Sequence, residues 1–122
     1  MGDHDTAWPK ELRVSPDRKT LTVSFTDGRS YAIEAELLRV RSPSAEVQGH
    51  SPEQRVTVGG KADVTIAKVL PVGNYAVRLA FNDGHDTGIY TWRFLSETGA
   101  AKDERWAEYL AELAQKNMSR TG

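Results

Sequence analysis

Cysteine is absent from all 122 residues, which removes disulfides, thiolate metal sites, cysteine nucleophiles and cysteine-ligated iron–sulfur clusters from the chemistry of this chain. No apolar run approaches the roughly 20 residues that span a bilayer, and the start MGDHDTAWP lacks the apolar stretch of a signal peptide. Neither sign of charge prevails. Sixteen Lys and Arg face 17 Asp and Glu, a formal charge of −1, so nucleic acid and anionic membranes have no electrostatic footprint to meet. A soluble, cytoplasmic protein of one domain is expected, since a chain of this length can bury a core without covalent staples.

What is present is strand pattern punctuated by Asp-Gly turns. Residues 1–7 read as a polar, flexible tail. Trp8-Pro9 opens an edge strand that continues through Glu11 to Val14, because proline cannot donate to a ladder. Leu21, Val23 and Phe25 alternate with polar residues before Asp27-Gly28, and Tyr31 and Ile33 alternate beyond it, predicting a hairpin. Only a three-residue loop, Thr26-Asp27-Gly28, sets Tyr31 opposite Val23 and Ile33 opposite Leu21. Tyr75, Val77, Leu79 and Phe81 repeat the pattern before Asp83-Gly84. The same loop length predicts His85 opposite Phe81, Thr87 opposite Leu79 and Ile89 opposite Val77.

Shifting the chain by 56 residues superimposes these two units, each strand, F-x-D-G turn, strand and short helical turn, so a duplicated hairpin unit is expected. Arg41 to Gly60, rich in Ser, Pro, Gly and Gln, reads as a long mobile loop. Asp63 to Leu70 reads as a further strand of an antiparallel meander. Trp106, Tyr109, Leu110, Leu113 and Met118 recur at helical spacing, predicting a helix from about Asp103, as N-cap, to Asn117 with one stripe on the sheet. The fold class is therefore α+β: mostly antiparallel hairpins with short helical turns and one C-terminal amphipathic helix on the sheet. Residues 8–97 form the body, and 98–122 add the helix to the same domain.

Familiar catalytic patterns fail residue by residue. Gly60-Lys61 is no phosphate loop, since Arg55 stands where the first glycine belongs and Ala62 follows the lysine. His4, His50 and His85 lack the spacing of a shared metal site, and no serine sits in a nucleophile elbow. Asp83, His85 and Asp86 cluster at one turn, but Asp83 is explained as a turn former and Asp86 as a solvated charge. Tyr90 and Trp92 flank the strand-to-helix junction. Both can be buried only if something covers the second side of the sheet, and otherwise one is left for a partner.

The start Trp8-Pro9, the hairpin LTVSFTDG, the segment LLRVRSPSAEVQGH and the run PVGNYAVRLAFNDGHDTGIYTW resemble the N-terminal domain of gamma-butyrobetaine hydroxylase and its small stand-alone bacterial relatives. The resemblance implies an accessory domain beside a separate iron- and 2-oxoglutarate-dependent catalytic domain. It further implies a structural zinc held by three cysteines and the histidine of the DGH turn. Those cysteine positions fall on Ser42, Ser44 and Val47, and the histidine on His85. No zinc and no cofactor are expected here, with the Ser42 and Ser44 hydroxyls bonded to the His85 imidazole instead. The domain is also similar to one appended to P-loop ATPases of iron–sulfur cluster assembly, which implies an adapter role near metal-cofactor enzymes.

The reading that results is a non-enzymatic binding or adapter module whose partner is a protein rather than nucleic acid or membrane. Its candidate binding residues are His85, Tyr90, Trp92, Ser42, Ser44 and His50. The alternative is a small-molecule or metal-binding protein using the His85 turn, with an enzyme built on His85 and Asp83 or Asp86 as a third reading.

Overall fold

A computed structural model describes residues 8–49 and 51–121; the expected tail, His4 and His50 lie outside the described residues. The architecture is α+β. Strands β1 (Pro9–Val14), β2 (Thr20–Phe25) and β3 (Ser30–Glu34) form one antiparallel sheet in that order, followed by helix α1 (Ala35–Val40). After a short helix α2 (Ala45–Gln48) and a 3-10 turn at Pro52–Gln54, strands β4 (Ile66–Val72), β5 (Ala76–Phe81) and β6 (Ile89–Thr91) form a second sheet of the same order. Helices α3 (Trp92–Ala100) and α4 (Lys102–Gln115) close the chain. Among the described residues no helix is long and apolar enough to cross a membrane.

The two halves match element for element. Thr20–Phe25 and Ala76–Phe81 stand 56 positions apart, and both turns are built alike. Phe25 N–H donates to Arg29 O and Phe81 N–H to His85 O, at 2.8 and 2.9 Å, and Gly28 and Gly84 sit at φ +95° and +93°. That left-handed conformation is what a type I turn followed by a bulge demands, and glycine adopts it without steric cost. Each outer strand carries an irregularity at the same place, between Pro9 and Glu11 and between Ile66 and Lys68.

The first hairpin has the expected register, Val23 opposite Tyr31 and Leu21 opposite Ile33. The second corrects the expected one. Phe81 meets His85 across the turn, but further on Val77 pairs with Tyr90 and Arg78 with Ile89. One extra residue is accommodated between His85 and Ile89, so Tyr90 rather than Ile89 turns inward, and Ile89 remains 42% exposed. Downstream equivalences therefore shift to 57 positions. Ala35 and Trp92 both begin helices, and Leu38 corresponds to Leu95, both fully buried.

The inward faces of both sheets, with Leu38 of α1 and Leu95 of α3, share one core that includes Leu21, Val23, Phe25, Ile33, Leu79, Phe81 and Tyr90. Full burial of each such side chain stabilises the fold by roughly 1.5–3 kcal/mol. A smaller cluster seats Tyr109 and Leu113 of α4 on Val40.

Four further expectations are corrected. Tyr75 lies outside β5 and is half exposed, because the strand starts at Ala76. The fourth strand begins at Ile66 and runs through Pro71, whose missing N–H is tolerated on an edge strand. Helix α4 is preceded by Ala101, which makes no side-chain cap, so Asp103 sits within the first turn; Leu110 and Met118 stay exposed. The described residues of the 41–60 segment are not a loose loop, since Arg41, Ser42, Ser44, Val47 and Thr57 are buried. The Glu112 carboxylate of α4 binds this segment, accepting from Arg41 at 2.7 and 3.1 Å, Arg55 at 2.6 Å and the Thr57 hydroxyl at 3.2 Å.

Candidate functional site

The turn after β5 delivers His85 beneath the 41–48 segment. Asp83 acts within the turn as its sequence suggests: its Oδ1 accepts from the His85 N–H at 3.0 Å, the counterpart of Asp27 accepting from Arg29 N–H at 3.1 Å. Its Oδ2 is held by Arg39 Nε of α1 at 2.7 Å and by Lys61 Nζ at 2.6 Å. Burial alone would raise the Asp83 pKa, but Lys61, the His85 N–H and Arg39 outweigh it and hold the carboxyl at about 2. Lys61, expected to do nothing for phosphate, is thus an electrostatic clamp on this turn.

The His85 side chain is only 5% exposed. Its Nδ1 lies 3.2 Å from Glu46 Oε1 and its Nε2 3.0 Å from Ser42 Oγ. Burial, then the nearby Arg39 guanidinium, lowers the imidazole pKa against the opposing pull of Glu46, Asp83 and Asp86. The Nδ1–Glu46 approach lacks hydrogen-bond geometry, so the imidazole's one side-chain hydrogen bond among the described residues is between Nε2 and Ser42 Oγ.

The remaining partners then follow without choice. Thr87 Oγ1 donates to Glu46 Oε1 at 2.8 Å, and therefore accepts from Ser44 Oγ at 2.8 Å. Ser44 N–H donates to Ser42 Oγ at 3.3 Å, and Ser44 Oγ in turn accepts from Glu46 N–H at 3.2 Å as the N-cap of α2. Hydrogen bonds thus link Ser42, Ser44, Thr87 and Glu46, with His85 bonded to Ser42 and within ion-pairing distance of Glu46, and together they tie α2 to the second hairpin. Gly88 permits this approach, since a Cβ there would collide with Ser42 Oγ and with the Tyr90 ring.

The structure therefore brings together His85, Ser42 and Ser44, with Ser42 bonded to the imidazole as expected and Ser44 reaching Thr87 rather than the ring. Tyr90 is fully buried and donates its hydroxyl to Leu38 O at 2.6 Å, so it belongs to the core and is not offered to a partner. Trp92 begins α3, half-buried, with Nε1 donating to Asn74 O at 2.9 Å. Glu46, Thr87 and Gly88 escape sequence reasoning. Glu46 carries no sequence signal, Thr87 is expected opposite Leu79 but lies exposed ahead of the slipped strand, and their meeting spans 41 positions.

The zinc implied by the family resemblance does not fit these residues. Ser42 and Ser44 offer hydroxyls already committed to hydrogen bonds, Val47 is a buried hydrocarbon, and His85 Nε2 is bonded to Ser42. Zinc favours thiolate and imidazole donors in a closed tetrahedron. Among the described residues no three His, Asp or Glu side chains converge as a metal site. Beside the cluster runs an open cleft of about 370 Å³, bordered by Arg39, Glu46, Val56, His85 and Thr87.

A family model described as gamma-butyrobetaine hydroxylase-like, N-terminal, matches residues 12–96. One solution NMR structure is similar at 47% identity over 93% of this chain and 90% of its own, with a TM-score of 0.79. A second is 42% identical over 98% of this chain and 89% of its own, with a TM-score of 0.82. A crystal structure from Acidithiobacillus ferrooxidans, of a DUF971-family protein of unknown function, is 36% identical over 75% of this chain and 92% of its own, at a TM-score of 0.62. Comparison with the curated proteins found no match.

Proposed function

The chain belongs to the family of gamma-butyrobetaine hydroxylase-like N-terminal domains, and from that premise we propose that it is a non-enzymatic protein-binding module. The observation that carries this reading is the hydrogen-bonded cluster around His85. A general acid or base must reach its substrate with a free nitrogen. Here the imidazole is buried, with Nε2 bonded to Ser42 and Nδ1 facing the Glu46 carboxylate, so this cluster serves to hold α2 on the hairpin. What remains for function is surface.

By the family resemblance, the partners are metal-cofactor enzymes, iron or iron–sulfur proteins beside which such domains serve as accessories. Affinity capture of the full chain from its native extract, followed by native mass spectrometry, tests the reading. The expected result is a stoichiometric protein complex. Isolation of the chain with a bound small molecule and no protein would overturn it.

The cleft of about 370 Å³ beside His85 supports a second reading, a small-molecule binder that uses Arg39, Glu46 and Thr87. Calorimetric titration with small carboxylates and phosphates tests it. Saturable binding lost in Arg39→Ala would favour it over the first.

A further inference from the structure

The duplicated architecture supplies an internal control for what a solvent face should look like in this fold. In the first sheet the outward row that crosses all three strands is Arg13, Thr22 and Ala32. The equivalent row in the second sheet is Leu70, Arg78 and Ile89. One step along, Glu11 opposite Ser24 becomes Lys68 opposite Ala80. The first face is polar and settles its charges internally, Arg13 pairing with Glu11 at 2.8 Å. The second sets exposed cations among apolar residues, Arg78 between Leu70 and Ile89 and Lys68 beside Ala80, and among the described residues no carboxylate lies within ion-pairing distance of Lys68 or Arg78. Ile89 stands 42% exposed at the β6 end of this row, turned outward by the extra residue that brought Tyr90 in.

We infer that the outer face of the second sheet docks a protein segment carrying apolar side chains flanked by carboxylates. This rests on the protein-binding reading above and names its surface and the chemistry of its partner. Apolar residues interspersed with uncompensated cations match such a segment on both counts, since complementary charge steers the encounter and fixes its register. A second copy of this chain fits poorly. A twofold pairing of the face with itself would bring together two faces that each carry exposed cations and no compensating carboxylate.

The probes are two synthetic peptides of opposite charge, one alternating Glu with Leu and one alternating Lys with Leu, titrated into the isotope-labelled full chain and followed by NMR. The Glu–Leu peptide should move the amide signals of Lys68, Leu70, Arg78 and Ile89 and leave Arg13, Thr22 and Ala32 in place. In the double variant K68E/R78E its affinity should fall by about tenfold or more, and the Lys–Leu peptide should bind instead. All these positions are exposed or half-buried, and the variant's own spectrum reports whether it keeps the fold. Equal response to both peptides, no saturable response, or shifts away from this face would overturn the assignment. So would a dimer in sedimentation that K68E/R78E dissociates, which makes the occupant a second copy. If native capture still yields a protein complex that the double variant retains, this face is wrong while the binding-module reading stands.

Discussion

Ser42 Oγ stands 3.0 Å from His85 Nε2, joining α1's exit to a turn 43 residues later. Both side chains are buried, so neither has water to replace the other. Removing a partner from a buried pair costs more than the bond's net worth, because the survivor keeps its desolvation penalty. Ser42→Ala should therefore destabilise the fold by about 1–3 kcal/mol in urea unfolding. It should also release the Ser44 N–H, which loses its acceptor. A change within the scatter of surface substitutions would mean that the cluster contributes nothing to stability.

Much of this arrangement is legible from sequence because local chemistry encodes it. Asp-Gly turns, alternating apolar residues and the F-x-D-G spacing produce the first hairpin in its observed register. The second hairpin shares those signals, yet its strands slip by one residue beyond the turn. The reason is not local. Tyr90 gains a core position and a carbonyl partner on Leu38, and Gly88 gains room against Ser42, all across distant segments. The 41–60 segment fails as a prediction for the same reason. Its Ser, Pro and Gly content marks a departure from regular structure, whereas its burial depends on Glu112 of α4, more than fifty residues away. The residues of the candidate site follow this division: His85 and Ser42 are visible through the resemblance, while Glu46 and Thr87 depend on tertiary contact.

Asp83 provides a pH signature. Its carboxyl is held at about 2, below its ordinary 3.8, despite burial that would raise it. A carboxylate depressed in the folded state adds stability that is complete above the unfolded value and lost as pH falls through the folded one. The contribution is roughly 2 kcal/mol, disappearing between about pH 4 and pH 2. Urea midpoints recorded down this window should fall more steeply for the wild type than for Asp83→Asn, which has no proton to take up. Parallel curves would contradict the clamp formed by Arg39 and Lys61.

Gly88 and Gly84 separate two reasons for glycine within one hairpin. At Gly84 a Cβ meets nothing within 4 Å, and the penalty for Ala is the left-handed φ of +93° alone. That costs about 1–2 kcal/mol. At Gly88 the obstacle is Ser42 Oγ, with Tyr90 behind it. Gly88→Ala should cost roughly 1–3 kcal/mol by forcing these groups apart. The two losses differ in their coupling. Ser42→Ala should relieve part of the Gly88→Ala penalty in a double-mutant cycle and none of the Gly84→Ala penalty. Additivity in both cycles would place the Gly88 conflict elsewhere.

Metal dependence follows from the donors that this chain has in place of cysteines. With hydroxyls at Ser42 and Ser44 and a hydrocarbon at Val47, the protein should take up no stoichiometric zinc in equilibrium dialysis, and a chelator should leave its Tm unchanged. The hydroxyls share protons with one another and with the imidazole, and a bound cation would displace those protons. The triple variant Ser42→Cys, Ser44→Cys, Val47→Cys restores the thiolates that the family resemblance implies, beside an imidazole already held by the turn. It should bind a single zinc ion with His85 as the fourth ligand. Its Tm should then fall on chelation, because metal binding becomes part of the folding free energy. Adding His85→Gln to the triple variant should weaken that binding. Stoichiometric zinc on the wild-type chain would show that the hydrogen-bonded cluster is not what holds α2 to the hairpin in solution.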